Sequence, residues 1–396
     1  MTYVEKFERL GFGMFVHFGL YSITGKGEWY RHIHNADPKV YNAQIAKFKV
    51  RKDWAKKLVA TAKKAGCKYI TMTARHHDGF SLYDTCGLNE FDAPHSACGR
   101  DLIQEFVEEC RKADIMPFFY HTLLDWWKEE YQTNFPAYID YLAKSIEVLC
   151  TRYGKIGGFW FDGMWDKMDA DWQEDRLYAT IRKHQPEAMI INNTGLSALG
   201  KVGHPEIDSV TFERGKPAYV DNSDRHRAGE MCQVLNDHWG FAKEDIHYKS
   251  VQELVENLVD CRKYNCNFLL NVGPRGDGSL KALDGAILEE IGRWIALNKK
   301  FIYGVKSCDI QAEGADILRG EDGYYYAILK NVPMSADPNV QRAMEGRQVK
   351  IHARVTSGCW LDNGEKIEIH GGMFAMKPFE YGRSLSVRVA KLKIRE

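Results

Sequence analysis

Residues 157–163, Gly-Gly-Phe-Trp-Phe-Asp-Gly, lead small and apolar side chains directly into one carboxylate, Asp162, and then a glycine. Such a run reads as a buried parallel strand that delivers its last side chain to the mouth of a barrel. An aspartate at a strand end can also serve only as a turn former or helix cap, so its surroundings decide. His17 lies near the C-terminal end of the apolar run 11–18, with Phe15 on its own face; it is either a core histidine or a group at the barrel mouth. His76 and His77 follow a second run at once, in Arg75-His76-His77-Asp78-Gly79. Adjacent side chains on a regular strand point to opposite faces, which disfavours a simple two-histidine metal site, whereas a bulged strand end would turn both inward. No three ligands converge by spacing, so no metal is expected, and hydrogen bonding to a neutral polyol suits these histidines better. Glu28 and Trp29 sit in a loop flanked by Gly25 and Gly27. Trp29, His76, His77, Tyr120 and Trp160 therefore recur at successive strand ends. That is the pattern of a sugar site, in which aromatic faces cover the C–H face of a ring and polar groups hold its hydroxyls.

Hydrolysis of a glycoside needs a second carboxylate facing Asp162 across the scissile bond. Between residues 200 and 235 three glutamates compete: Glu206, Glu213 and Glu230. Glu213 ends the β-prone stretch 208–212 and precedes Arg214-Gly215-Lys216-Pro217, again a strand-end position. Spacing alone leaves the three open.

The elements that must position these groups alternate along the chain. Asp53 is placed to cap a helix over 54–65 that Gly66 ends, and 67–73 is a β-branched strand. A helix over 101–113 precedes an apolar run at 115–120, and a helix over 135–153 closed by Gly154 precedes the 157–162 strand. Helix 170–184, strand 188–193, helix 249–264, strand 267–272 and helix 282–298 continue the pattern. Alternating strands and helices imply a parallel sheet with crossover helices. Because polar residues gather after one strand after another, the sheet is expected to close into an α/β fold, a (β/α)8-like TIM barrel, over residues 1–304. An open dinucleotide-binding sheet would show G-x-G-x-x-G after its first strand, where Gly19-Leu20-Tyr21-Ser22 stands instead. Beyond residue 304 short alternating segments at 323–329 and 384–389, with the hairpin signal Asp362-Asn363-Gly364, predict a small antiparallel β-sandwich over 305–396. Residues 334–339 read as a mobile loop.

Bulk composition excludes several classes. Lys plus Arg and Asp plus Glu both number 54, so no basic field exists to hold nucleic acid or an anionic membrane. No run approaches the roughly 18 apolar residues of a membrane span. The first residues, Met1-Thr2-Tyr3-Val4-Glu5-Lys6-Phe7, carry no basic patch followed by an apolar core. Ten cysteines include no C-x-x-C pair; they read as buried reduced thiols of a cytoplasmic protein rather than a zinc site.

Several of these segments together resemble the family 29 glycoside hydrolases, the α-L-fucosidases. The matching residues are 12–22 (Phe-Gly-Met-Phe-Val-His-Phe-Gly-Leu-Tyr-Ser) with Glu28-Trp29-Tyr30, then His76-His77-Asp78-Gly79-Phe80 and Trp160-Phe161-Asp162-Gly163. Leu235-Asn236-Asp237-His238-Trp239-Gly240 and Leu269-Leu270-Asn271-Val272-Gly273-Pro274 follow in the family's order, so the likeness covers about residues 5–304. The resemblance implies a retaining exo-hydrolase of fucosylated oligosaccharides or glycoconjugates, working without a cofactor. It implies Asp162 as the nucleophile and His17, Glu28, Trp29, His76, His77, Tyr120 and Trp160 as contacts to the fucose ring. Many members place the acid/base in an Asp-x-x-Thr-Pro-Glu segment. Asp208-Ser209-Val210-Thr211-Phe212-Glu213 keeps that spacing with Phe for Pro, so Glu213 is the expected acid/base and Glu206 the runner-up. Thr194 stands where members often carry an arginine, which leaves any contact made by that arginine without a counterpart there. The competing functions are a catalytically silent sugar-binding protein on the same scaffold and a metal-dependent barrel hydrolase built on His17, His76 and His77.

Overall fold

The computed structural model describes residues 1–335, 337, 339 and 346–395. Of the segment expected to be a mobile loop, Ala336 and Pro338 lie outside the described residues.

Eight parallel strands close a barrel in chain order: β1 (Phe12–Val16), β2 (Tyr69–Arg75), β3 (Met116–Thr122), β4 (Gly158–Asp162), β5 (Met189–Asn192), β6 (Ser209–Thr211), β7 (Ala228–Val234) and β8 (Cys266–Val272). β8 returns to pair with β1, from Phe12 beside Phe268 to Val16 beside Val272. A strand covered on both faces is mostly apolar, with its polar side chains hydrogen-bonded, and every residue of β1, β2, β7 and β8 is buried. Inside the barrel Phe15, Tyr69, Phe118, Tyr120, Trp160, Ile191, Cys232 and Leu269 form one packed core. Phe7, from the short helix Tyr3–Glu8, sets its ring 5.5 Å from both Tyr69 and Phe118. Those residues lie near the starts of β2 and β3, so this helix closes the N-terminal end and leaves the C-terminal mouth for chemistry. Gly158 opens β4 because a Cβ there would lie 2.4 Å from the Met189 carbonyl oxygen of the neighbouring strand.

Two local expectations are corrected. Asp53 precedes the helix Trp54–Ala65 but makes no capping hydrogen bond; its carboxylate pairs with Lys57 Nζ at 2.6 Å instead. The helix expected from residue 170 begins at Glu174, after a 3-10 turn at Met164–Lys167 that leaves the end of β4. One strand, β7, has no counterpart in the sequence reading. Gly229, Glu230 and Gln233 break its apolar pattern, yet it is buried because Glu230 accepts hydrogen bonds from Tyr69 Oη (2.5 Å) and Trp160 Nε1 (2.9 Å) in the barrel interior.

The chain divides into two compact units, Met1–Tyr248 with Asn267–Leu288, and Lys249–Cys266 with Glu289–Glu396. The second unit carries a five-stranded antiparallel sheet in the spatial order Arg354–Trp360, Val387–Arg395, Tyr325–Lys330, Asp316–Gly320, Val305–Ser307. A three-stranded antiparallel sheet, Ala312–Glu313, Arg347–Ile351 and Met373–Met376, shares its core. Ile317, Leu329, Trp360 and Leu392 from the first sheet pack in one cluster with Val349, Ile351, Phe374 and Met376 from the second, which makes the pair a β-sandwich. Gly364 takes a left-handed φ of 72° in the expected turn, where Trp360 N–H donates to the Glu365 carbonyl at 2.9 Å. All ten cysteines are free thiols, but not all are buried as expected: Cys86 is exposed and Cys98, Cys308 and Cys359 are half-buried. Among the described residues no helix is long and apolar enough to cross a membrane.

Candidate active site

The strand ends at the C-terminal mouth surround a cavity of about 560 Å³, ample for a sugar ring with part of its leaving group. Asp162, the last residue of β4, lines it, and Gly163 turns the chain away at a φ of 100°. Asp162 Oδ2 accepts from Tyr120 Oη at 2.9 Å and faces His77 Nε2 at 3.5 Å. Its Oδ1 accepts from Trp165 Nε1 at 3.1 Å and from Asn193 Nδ2 at 3.2 Å. Burial pushes this carboxyl up, but the hydrogen bonds and charge from His77, with those from Trp165 and Tyr120, outweigh it and hold the pKa below the ordinary aspartate value. Asp162 is therefore an anion at neutral pH.

The histidines are oriented from behind. The register of β2 on β3 shifts between Thr73 and Arg75, and beyond that irregularity both His76 and His77 turn to one side, their ring centres 4.2 Å apart. His76 stacks on Tyr120 at 5.4 Å. The Thr122 hydroxyl donates to the Leu124 carbonyl and so accepts from His77 Nδ1 at 2.7 Å, which turns Nε2 of that ring toward Asp162. At His17 the chain of donors runs from Asn271. Asn271 Nδ2 donates to the Trp239 carbonyl (2.7 Å), so its Oδ1 accepts from His17 Nδ1 at 2.7 Å. Burial pushes the His17 pKa down to about 3, so the ring is neutral and its Nε2 is an acceptor ready for a sugar hydroxyl. Glu28 is buried, accepts from Gly240 N–H at 2.7 Å, and is pushed up by burial. Trp29 is half-buried, 5.3 Å from the His77 ring and stacked at 6.0 Å on Trp165. Trp160 stacks on Tyr120 at 5.7 Å.

Glu213 follows β6, and the segment is tied to β7 by Phe212 N–H to the Glu230 carbonyl and Arg214 N–H to the Cys232 carbonyl, both 2.9 Å. Its Oε2 accepts from Asn193 Nδ2 at 2.7 Å. Burial, then the nearby charge of Asp162, pushes the Glu213 carboxyl up to about 7. One amide nitrogen thus bridges two carboxylates of opposite tendency. Its orientation is set because Asn193 Oδ1 accepts from Thr211 Oγ1 (3.1 Å) and from Gly195 N–H (3.3 Å). With its two hydrogens splayed at about 120°, one amide nitrogen reaches carboxylate oxygens about 5 Å apart, the spacing that retaining glycosidases require of their carboxyl pair.

The structure gathers His17, Glu28, Trp29, His76, Tyr120, Trp160, Asp162 and Glu213 around this cavity, with His77 directly behind Asp162. It does not bring Glu206 there: that side chain is at the surface, paired with Arg182 Nε at 3.2 Å. Glu230 lies inside the barrel between Tyr69 and Trp160 and does not line the cavity. The lining residues that sequence patterns did not single out as site groups include Trp165, Asn193, Arg214 and Trp239. Asn193 stands just past β5, so the strand-end rule that picked Asp162 reaches it; Trp165 and Arg214 carry no such signal. Among the described residues no group of three or more His, Cys, Asp or Glu side chains is arranged to hold a metal ion.

A parallel barrel whose mouth holds paired carboxylates among aromatic rings defines a glycoside hydrolase of the barrel class. The alpha-L-fucosidase family model matches residues 2–300, and the chain belongs to that family. Rattus norvegicus tissue alpha-L-fucosidase is 25% identical over 87% of this chain and 80% of its own length. A Caenorhabditis elegans relative is 27% identical over 74% of this chain, and the match spans 65% of that relative. Among solved structures, alpha-L-fucosidase isoenzyme 1 from Paenibacillus thiaminolyticus superposes with a TM-score of 0.85 at 27% identity, covering 100% of this chain and 99% of its own.

Proposed function

We propose that this chain hydrolyses terminal α-L-fucosides of oligosaccharides or glycoconjugates with retention of configuration, using Asp162 as nucleophile and Glu213 as acid and then base. The observation that carries this reading is the Asn193 amide shared by the two carboxylates. In the first step an Asp162 oxygen attacks the anomeric carbon, the bond to the leaving oxygen breaks, and the Glu213 proton moves to that oxygen. In the second step Glu213 takes a proton from water, the hydroxide attacks the same carbon, and Asp162 leaves as a carboxylate. The raised Glu213 pKa suits the first role. Esterification of Asp162 removes the charge that helps to raise it, so the same group becomes the stronger acid that a subsequent general base requires. His17, Glu28, Trp29, His76, His77, Tyr120 and Trp160 are assigned to the fucose ring: imidazoles and Glu28 to its hydroxyls, indole and phenol rings to its C–H face. Catalysis is assigned to residues 1–304, and every residue named lies in the first compact unit. The ten free cysteines support a reducing compartment such as the cytoplasm.

The test is Asp162→Ala on an aryl α-L-fucoside. Turnover should fall by at least about a thousandfold and return with azide, giving a fucosyl azide. Normal turnover in Asp162→Ala would remove the nucleophile assignment. A wild type that binds fucose but hydrolyses nothing would favour a silent sugar-binding protein.

A further inference from the structure

Arg214 immediately follows the residue assigned as acid/base, yet both line the same cavity. Consecutive residues of extended chain send their side chains to opposite sides. Here Arg214 takes a left-handed φ of 50°, an unusual conformation for a residue with a Cβ, and the segment is held there by its N–H bond to the Cys232 carbonyl. The turn keeps both side chains at the cavity. The guanidinium lies over the Trp239 ring, 5.2 Å from its centre, and Nη2 donates to the Asp237 carbonyl at 2.7 Å. Among the described residues, that leaves the Nε and Nη1 edges of an exposed guanidinium without a protein acceptor, and no carboxylate forms an ion pair with it. The nearby Asp237 carboxylate is taken by His247 Nδ1 at 3.0 Å.

An acid must face the oxygen that it protonates, so the leaving group emerges beside Glu213. Arg214 and the turn Gly195-Leu196-Ser197 line the cavity on loops that follow β6 and β5, outside the set assigned to fucose. Leu196 is 65% exposed there and offers an apolar surface to a sugar face. Building on the proposed fucosidase reading, we infer that Arg214 and this turn form a leaving-group subsite for a saccharide that carries an anionic substituent, a carboxylate or a sulfate. A planar fork with free N–H edges matches either group, and stacking on Trp239 preorganises it. Against burial, the Arg214 charge reaches Glu213 and Glu28 and lowers both carboxyls, so an anionic substituent in this cavity is best placed on the guanidinium that offsets them.

Three aryl α-L-fucosides test this: the meta-carboxyphenyl, meta-sulfophenyl and neutral meta-carbamoylphenyl compounds, compared as kcat/KM ratios. Wild type should prefer at least one charged probe about fivefold over the neutral one, through KM, and molar salt should erase most of that preference. Which charged probe leads tells carboxylate from sulfate. Arg214→Gln should bring the ratio to about one, and Arg214→Lys should keep part of it because a point charge lacks the fork. A wild type that treats all three alike, or a preference that survives salt or Arg214→Gln, overturns the subsite. If Arg214→Gln does not fold, the wild-type ratio, its salt dependence and the Lys variant still decide. Hydrolysis of the neutral probe by wild type separates the two readings, since its absence counts against the fucosidase function itself.

Discussion

Asn193→Ala removes one nitrogen from between two carboxylates and tests the site more sharply than deletion of either acid. Its Nδ2 donates at 3.2 Å to Asp162 and 2.7 Å to Glu213, and the amide is held in place by Thr211 and Gly195. Hydrogen bonds to charged groups contribute about 1.5–3 kcal/mol each. With alanine, water can replace the donor but not the fixed spacing, so a loss of about 2–3 kcal/mol of transition-state stabilisation is expected. That converts to about 30- to 150-fold in kcat/KM. The hydrogen bond from Asn193 lowers the Glu213 pKa against burial and the Asp162 charge; its removal should therefore raise that pKa further. Because Glu213 must be protonated for the first step, the alkaline limb of the kcat/KM profile should move upward in pH even as its plateau falls. The loss should be larger for a poor leaving group, which needs the proton, than for a nitrophenol. A variant within about threefold of wild type, or one whose alkaline limb stays in place or moves down, would refute the bridging role; a melting curve confirms that the variant is folded.

Two further expectations follow from the carboxylates around the barrel. Glu213→Gln should lose activity on poor leaving groups by about a hundredfold or more and lose the alkaline limb near pH 7; Glu206→Gln, at the surface with Arg182, should match wild type in the same assay. Glu230 ties pH to stability: burial pushes its folded pKa up to about 7, against 4.5 for an ordinary glutamate carboxyl. Below the lower value both states are protonated and the group adds no pH dependence. As pH rises the unfolded chain releases the proton first, so folding is penalised increasingly until the pH passes the folded value, by about 3 kcal/mol in all. Thermal melts should therefore fall more steeply from mildly acidic to alkaline pH in wild type than in Glu230→Gln, and equal slopes would contradict this.

What could be read from the chain follows from the physics of parallel barrels. Strands buried on both faces are mostly apolar, so a polar residue at the end of such a run stands out, and His17, His76 and Asp162 all announce themselves that way. β7 does not, because Glu230 is accommodated inside the barrel only by Tyr69 and Trp160, partners supplied by β2 and β4. Asn193 is a similar case. An amide has no chemistry of its own, and its importance arises from two acids on different strands. Local spacing left the histidine pair open; the irregularity after Thr73 settled it by sending both rings to Tyr120. The choice among three glutamates was likewise a matter of depth: Glu206 is outside, Glu230 is beneath, and Glu213 is at the mouth. Arg214 was hidden for a backbone reason, since nothing in its neighbours signals a left-handed residue.

The central claim is a covalent sugar ester on Asp162, and trapping it is the most direct test. Incubation with 2-deoxy-2-fluoro-α-L-fucosyl fluoride, a substrate whose second step is slowed, followed by proteolysis and mass spectrometry, should find one fluorofucosyl group on the peptide containing Trp160-Phe161-Asp162-Gly163. A label on any other residue, or rapid turnover with inverted configuration and no adduct, would contradict the account.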